Sequence, residues 1–219
     1  MPQEIKIIFR ECLSQSCGFR FPDLVLNTVN HPSCPKCGNQ TNLVHERALS
    51  KQRYPPRRKY PNAKNIVCVF DNIRSVYNIG SMFRTMQGFG IKEAFLCGIS
   101  PCPKHKGFSK TSIGAEKDIL WHSMGNAFRT CQSLKEQGYA LVTLETSASA
   151  IPIMEYQPEY SNRKIALIVG NEIAGVDPSI VDLSDRVLFI PISGKNNSLN
   201  VTVAFGIGLY TCLSVKEHP

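Results

Sequence analysis

Two groups of residues in this chain have types and spacings that bear on chemistry. The first is four cysteines, Cys12 and Cys17 with four residues between them, and Cys34 and Cys37 with two between them. Four thiolates suit a closed tetrahedral site for a structural Zn2+, with no open position for a reacting water. Gly38 follows the second pair and lets the backbone turn so that its amides approach the sulfurs. The second group sits in polar turns that follow apolar runs. Ile165 to Val169 reads as a buried strand, and Gly170, Asn171 and Glu172 follow at its carboxyl end. Open α/β sheets place their ligands at that end. Arg186 to Ile192 is a further apolar run, and the polar loop after it carries Ser193, Gly194, Ser198 and Asn200.

The elements that position these residues follow from periodicity and punctuation. Asp177 and Pro178 read as N-cap and first residue of a short helix. Ser198 is the expected cap of a last helix from Leu199 to about Val215, apolar nearly all round and therefore buried. Further upstream, Asn65 to Phe70 reads as a strand that exits into Asp71 and Asn72. A helix is expected from about Asn78 to Gln87, with Ile79, Met82, Phe83 and Met86 as its buried stripe and Arg84 roughly opposite. Glu93 to Cys97 and Tyr139 to Glu145 read as strands, and Met124 to Glu136 as a helix. Trp121, Cys68, Cys97, Cys131 and Cys212 are expected to pack, and Cys102 to lie in a loop. Strands alternating with helices predict an α/β domain with a mostly parallel sheet and helices on both faces. No GxGxxG follows a strand and no Walker sequence occurs, which removes the ordinary dinucleotide and P-loop readings.

Three motifs carry a family resemblance. Asn78-Ile79-Gly80 followed by Arg84, Gly170-Asn171-Glu172 followed by Gly175, and Ile190-Pro191 through Gly194 to Ser198-Leu199-Asn200-Val201 occur in that order. They closely resemble the motifs of the SpoU (TrmH-like) branch of the SPOUT RNA methyltransferases. The resemblance implies a C-terminal deep trefoil knot, an exception to the rule that chains do not thread loops. It also implies S-adenosyl-L-methionine as cofactor, a ribose 2′-hydroxyl of tRNA or rRNA as acceptor, and a homodimer with each site near the interface. It assigns the cofactor to Leu144, Gly170, Asn171, Ile190, Ser193 and Leu199, and the reaction to Asn78, Arg84, Glu172, Ser198 and Asn200. A zinc-dependent RNA-binding protein with a non-catalytic, dimerising domain is the alternative, and methylation of a base a third reading.

Charge is uneven. Residues 1–64 hold 11 Lys/Arg against 4 Asp/Glu, residues 65–219 hold 14 against 13, and the whole chain carries +8. A basic N-terminal part on a near-neutral domain suits an appendage for a polyanion such as RNA. The expected organisation is a zinc-ribbon-like module over residues 1–45, a basic linker over 46–64, and a methyltransferase domain over 65–219. In the linker Pro55, Pro56 and Pro61 oppose helix, while Tyr54 and Tyr60 interleave with Arg and Lys. Lys104, Lys106 and Lys110 are further candidates for phosphate contact. His31 and His45 are expected on the surface. No apolar run of membrane-spanning length and no signal peptide is present, which predicts a cytoplasmic protein without a membrane partner.

Overall fold

The computed structural model describes residues 6–25, 33–48, 60–158, 163–195 and 198–214. The chain divides into two units, residues 1–58 and residues 59–219. His31 and residues 49–59, the central part of the expected linker, lie outside the described residues, as does Val215.

In the first unit, strands β1 (Lys6–Cys12), β2 (Arg20–Val25) and β3 (Thr41–Ala48) form an antiparallel sheet in the order β2-β1-β3. Its apolar content is slight, with Ile8 of β1 buried. Arg10 is buried too and donates to Asp23 at 3.1 Å across the β1–β2 pair. β3 takes residues 46–48 into this sheet, and His45 is exposed with its ring 6.3 Å from that of Phe9.

The second unit is a seven-stranded, wholly parallel sheet. Its strands are β4 (Ile66–Asp71), β5 (Glu93–Cys97), β6 (Leu120–Met124), β7 (Ala140–Leu144), β8 (Ile151–Pro152), β9 (Ile165–Val169) and β10 (Arg186–Phe189). They run in the order β6-β5-β4-β9-β7-β10-β8. Helices α1 (Val76–Phe89), α2 (Ser109–Ser112), α3 (Ala127–Glu136), α4 (Pro178–Leu183) and α5 (Val201–Leu213) complete it. Side chains alternate across the pleat. Ile66, Cys68 and Phe70 of β4 face a core shared with α1 and α5, while Val67 and Val69 face one shared with α3 and α4. Helices therefore cover both faces, as a parallel sheet requires.

The expected stripe of α1, Ile79, Met82, Phe83 and Met86, is fully buried. The helix starts earlier than its periodicity suggested, because Ser75 caps it by accepting the Asn78 amide at 3.3 Å. Aromatic rings tie the face together. Phe70 meets Phe205 at 5.5 Å and Phe83 meets Phe108 at 5.1 Å, both edge-on. After β10, next to the edge strand β8, the chain returns as α5 to pack on β7, β9 and α1.

Ser198 does not cap α5. Asn200 does, accepting the Thr202 amide at 2.8 Å, and the helix begins at Val201. The amide side chain reaches the first free N–H groups, and Ser198 lies too far upstream to do so. β6 was not expected. It is an edge strand with Leu120 61% exposed, so neither alternation nor a buried run marks it.

Candidate active site

Motif two is a loop closed upon itself. The Asn171 N–H donates to the Gly175 carbonyl and the Gly175 N–H to the Asn171 carbonyl, both at 2.9 Å. The Asn171 side chain accepts from Ile173 and Ala174 and donates to the Asn72 carbonyl at 2.7 Å. This crossing explains both glycines. A Cβ on Gly170 would occupy the backbone of Gly175 and Val176, and Gly175 has φ +73° against the Glu145 carboxylate. Glu145 accepts the Val176 and Thr146 amides at 2.8 Å each, binding the end of β7 to the same loop. Asp71 accepts the Asp177 amide at 3.0 Å and does the same from β4; burial raises its carboxyl above the usual range.

Glu172 joins motif two to motif one. Its carboxylate accepts the Arg74 amide at 2.9 Å, the Ser75 amide at 3.1 Å and the Asn78 side-chain amide at 2.8 Å. Burial alone would push the Glu172 carboxyl up, but the Arg74 amide, its own backbone, Asn78 and Ser75 outweigh it and hold it below its ordinary value. Glu172 thus fastens the start of α1 to the end of β9.

A cavity of about 500 Å3 opens beside this knot of hydrogen bonds. β7 brings Leu144, Glu145 and Thr146, the β9 turn brings Val169 and residues 170–175, and β10 with its loop brings Leu188, Phe189, Ile190 and Ile192. The entry to α5 brings Ser198, Leu199, Asn200, Val201 and Ala204. Gly208 allows α5 to lie against Leu144, since a Cβ there would stand 2.5 Å from the Leu144 methyl. The size falls in the roughly 300–1,000 Å3 range of small-molecule sites. Apolar walls at Leu144, Leu188, Ile190 and Leu199, beside the backbone polar groups of two turns, fit a purine nucleoside carrying a short charged tail.

The structure brings together in this cavity Leu144, Gly170, Asn171, Glu172, Ile190, Ser198, Leu199 and Asn200 of the expected site. Asn78 joins them through Glu172. Ser193 does not line it and is exposed in the loop beyond Ile192. Arg84 does not line it either. It is exposed six residues further along α1, about 9 Å up the helix axis, in a groove with Ser81, Thr85, Gly88, Phe89, Lys110 and Thr111. Glu145, Asp71 and Asn72 escaped sequence reading as site residues. Polar residues directly after apolar strands were the signal available for each.

The four N-terminal cysteines converge, with all sulfurs within 4.8 Å of one another. Cys12 and Cys37 are 3.5 Å apart and Cys17 and Cys34 3.9 Å. Tetrahedral Zn–S bonds of ~2.3 Å put sulfurs roughly 3.8 Å apart, so the set fits zinc. Gly18 and Gly38, at φ +52° and +74°, turn the two knuckles in matching fashion. The backbone N–H and side chain of Asn39 draw the Cys37 thiol down to about 6, favouring the thiolate a metal needs, while burial pushes Cys12 up to about 12.

A parallel sheet whose ligand cavity is built by the turns after β7, β9 and β10 and by the start of the last helix defines a SPOUT-type methyltransferase domain. Residues 65–210 match the SpoU rRNA Methylase family, and the chain belongs to that family. It is 27% identical over 176 residues to the tRNA (guanosine(18)-2′-O)-methyltransferase of Aquifex aeolicus, covering 80% of each protein. It is 26% identical to the 23S rRNA (guanosine-2′-O-)-methyltransferase RlmB of Acinetobacter baylyi, covering 68% of this chain and 59% of that one. Among solved structures, the A. aeolicus TrmH/SpoU tRNA modifying enzyme superposes with TM-score 0.62 at 26% identity, over 70% of this chain and 79% of that one. An AdoMet-bound rRNA methyltransferase from Sinorhizobium meliloti shares the fold with TM-score 0.63 at 21% identity, over 74% and 60% of the two chains.

Proposed function

We propose that this chain transfers a methyl group from S-adenosyl-L-methionine to a ribose 2′-hydroxyl of a tRNA or rRNA. The observation that carries the reading is the convergence of the second and third motifs on one cavity, with the first motif hooked to it through Asn78 and Glu172. The names of the Aquifex and Acinetobacter relatives support the acceptor, and the Sinorhizobium structure supports the cofactor.

When bound, the cofactor supplies a methyl group on a sulfonium, which is electrophilic without help from the protein. The protein's part is alignment, which contributes on the order of 7–11 kcal/mol at best. Leu144, Ile190 and Leu199 hold the adenine between apolar walls, and the turn at Gly170 offers its backbone groups. Glu172 keeps the turn and the start of α1 in register. Ser198 and Asn200 position the ribose at the cavity mouth. A guanidinium stays protonated in a protein, so Arg84 is not a literal base. It binds the phosphate next to the target nucleotide and orients the hydroxyl.

The active form in this reading is a homodimer. Val203, Ile207 and Tyr210 recur at i, i+4 and i+7 on α5 and are 51, 37 and 49% exposed. A second copy seated there buries the stripe and accounts for an Arg84 that its own cavity does not reach. The three-stranded sheet is a zinc ribbon with Cys12, Cys17, Cys34 and Cys37 as ligands, the basic stretch after β3 links it to the second unit, and that unit is the catalytic domain. No helix among the described residues is long and apolar enough to cross a membrane, in keeping with a cytoplasmic place for an enzyme of RNA.

The test is incubation with methyl-labelled S-adenosylmethionine and unmodified total RNA. Label on RNA that maps to 2′-O-methyl nucleotides, and that disappears in Arg84→Ala and Asn200→Ala, supports the reading. RNA binding without transfer favours a non-catalytic RNA-binding protein instead, and label on a base removes the ribose assignment.

A further inference from the structure

The cavity built by the β7, β9 and β10 turns carries charge of one sign. Among the described residues that line it, the only ionisable side chains are Glu145 and Glu172. No lysine, arginine or histidine is among them. Lys195, on the loop between Ile192 and Ser198, is exposed and stands outside the lining. So does Arg74, whose backbone amide Glu172 accepts. Among the described residues neither carboxylate is ion-paired. Both are satisfied by amides, which are neutral and leave the negative charge uncancelled.

The two acids differ in what holds them. Glu172 is turned to the start of α1, where three donors share its carboxylate. Glu145 follows β7 directly after Leu144, a wall of the cavity, and its carboxylate accepts the Val176 and Thr146 amides at 2.8 Å each. Gly175 leaves it that place, since a Cβ there would stand 3.1 Å from the Glu145 carboxyl carbon. The fold therefore fixes this charge before a ligand arrives, and it acts without reorganisation. A sphere of 500 Å3 is about 10 Å across, so a cation anywhere in the cavity lies within about one screening length of Glu145.

We propose that Glu145 makes the cavity select its ligand by charge, holding the cationic methyl donor more tightly than the neutral product left once the methyl has gone. This rests on the methyltransferase reading and adds to it how the spent cofactor is displaced. S-adenosylmethionine and S-adenosylhomocysteine share the adenosine and the amino-acid tail. They differ by a methyl group and by the positive charge on sulfur. The apolar walls and the backbone of the Gly170 turn grip the shared parts alike, whereas a fixed carboxylate attracts only the cation. Glu145 is thus a specificity-determining residue, and the product loses the attraction that its precursor enjoyed.

Calorimetric titration of the full chain tests this with S-adenosylmethionine, S-adenosylhomocysteine, adenosine, and sinefungin, which is cationic through an amine in place of the sulfonium. Glu145→Gln keeps the shape and removes the charge. The ratio of the S-adenosylhomocysteine to the S-adenosylmethionine dissociation constant should fall about tenfold in Glu145→Gln. Sinefungin should weaken with S-adenosylmethionine, and adenosine should follow S-adenosylhomocysteine. Glu145→Asp keeps the charge and should keep most of the ratio. A merely structural role loosens the turn, weakens all four ligands equally and leaves the ratio unmoved. A cation contributed by a second copy acts on both proteins alike and cancels in the comparison. An unchanged ratio in Glu145→Gln, a loss of adenosine as large as that of S-adenosylmethionine, or a wild type that holds donor and product equally would overturn the selection. If the wild type takes up donor and product while the ratio does not move, the selection alone is wrong. If it takes up neither, the underlying reading goes with it.

Discussion

At the scale of single residues the site rests on acceptors that organise loops. Glu172 accepts from three protein donors, the Arg74 and Ser75 amides and the Asn78 side chain. Glu172→Gln keeps the shape and loses the charge, which should cost ~1 kcal/mol of stability and weaken cofactor binding measured by calorimetry. The sign of its pH dependence follows from a carboxyl held below its ordinary value of 4.5. The stabilisation is fully present above that value and is lost as pH falls through the lower folded-state value. Melting temperature should therefore show a constant contribution from Glu172 between neutrality and pH 5, read as a wild-type advantage over Glu172→Gln that vanishes on stronger acidification. Arg84 is a different case. Because it stands outside the cavity, Arg84→Ala should abolish most turnover while leaving S-adenosylhomocysteine affinity within about twofold. Arg84→Lys should recover little, since an ammonium lacks the planar fork. The residue types of motif two were legible in the sequence, but their partners were not. Asn72, Asp71 and Glu145 lie tens of residues from the amides they bind, and no local pattern connects them.

At the scale of elements the glycines decide. Gly170→Ala would force apart the turn after β9, so the variant should lose cofactor binding and much of its stability, as thermal melting would record. Gly80→Ala should instead displace α2 and spare the cavity, because its conflict is with Phe108 and Thr111. The buried strands β4 and β9 and the stripe of α1 were readable, since continuous apolar runs and 3.6-residue spacing survive folding unchanged. β6 was not, because an exposed edge strand carries neither signal. The cap of α5 was misplaced for a related reason. Ser198 and Asn200 are both good capping residues, and only the path of the preceding loop chooses between them. The four cysteines were the clearest element-scale signal, and their sulfurs do meet. Removing metal with a chelator should unfold the three-stranded sheet and leave the second unit's melting transition in place, a division visible by calorimetry.

At the scale of the whole molecule the parallel, doubly covered sheet was expected from alternating strands and helices, and the strand order was not. That order rests on pairings between strands far apart in the chain, β4 beside β9 and β7 beside β10, which no local pattern announces. The exposed stripe Val203, Ile207 and Tyr210 bears on assembly. Ile207→Asp should shift a dimer to monomer in sedimentation and lower turnover while preserving the melting of the second unit.

The most direct measurement is a calorimetric titration of the folded protein with S-adenosylhomocysteine, repeated on Leu199→Arg. One site per chain, lost in Leu199→Arg and retained in Arg84→Ala, is the expected result. A folded wild type that takes up none, or a Leu199→Arg variant that binds as well as wild type, would contradict the assignment of the cavity built by the β7, β9 and β10 loops.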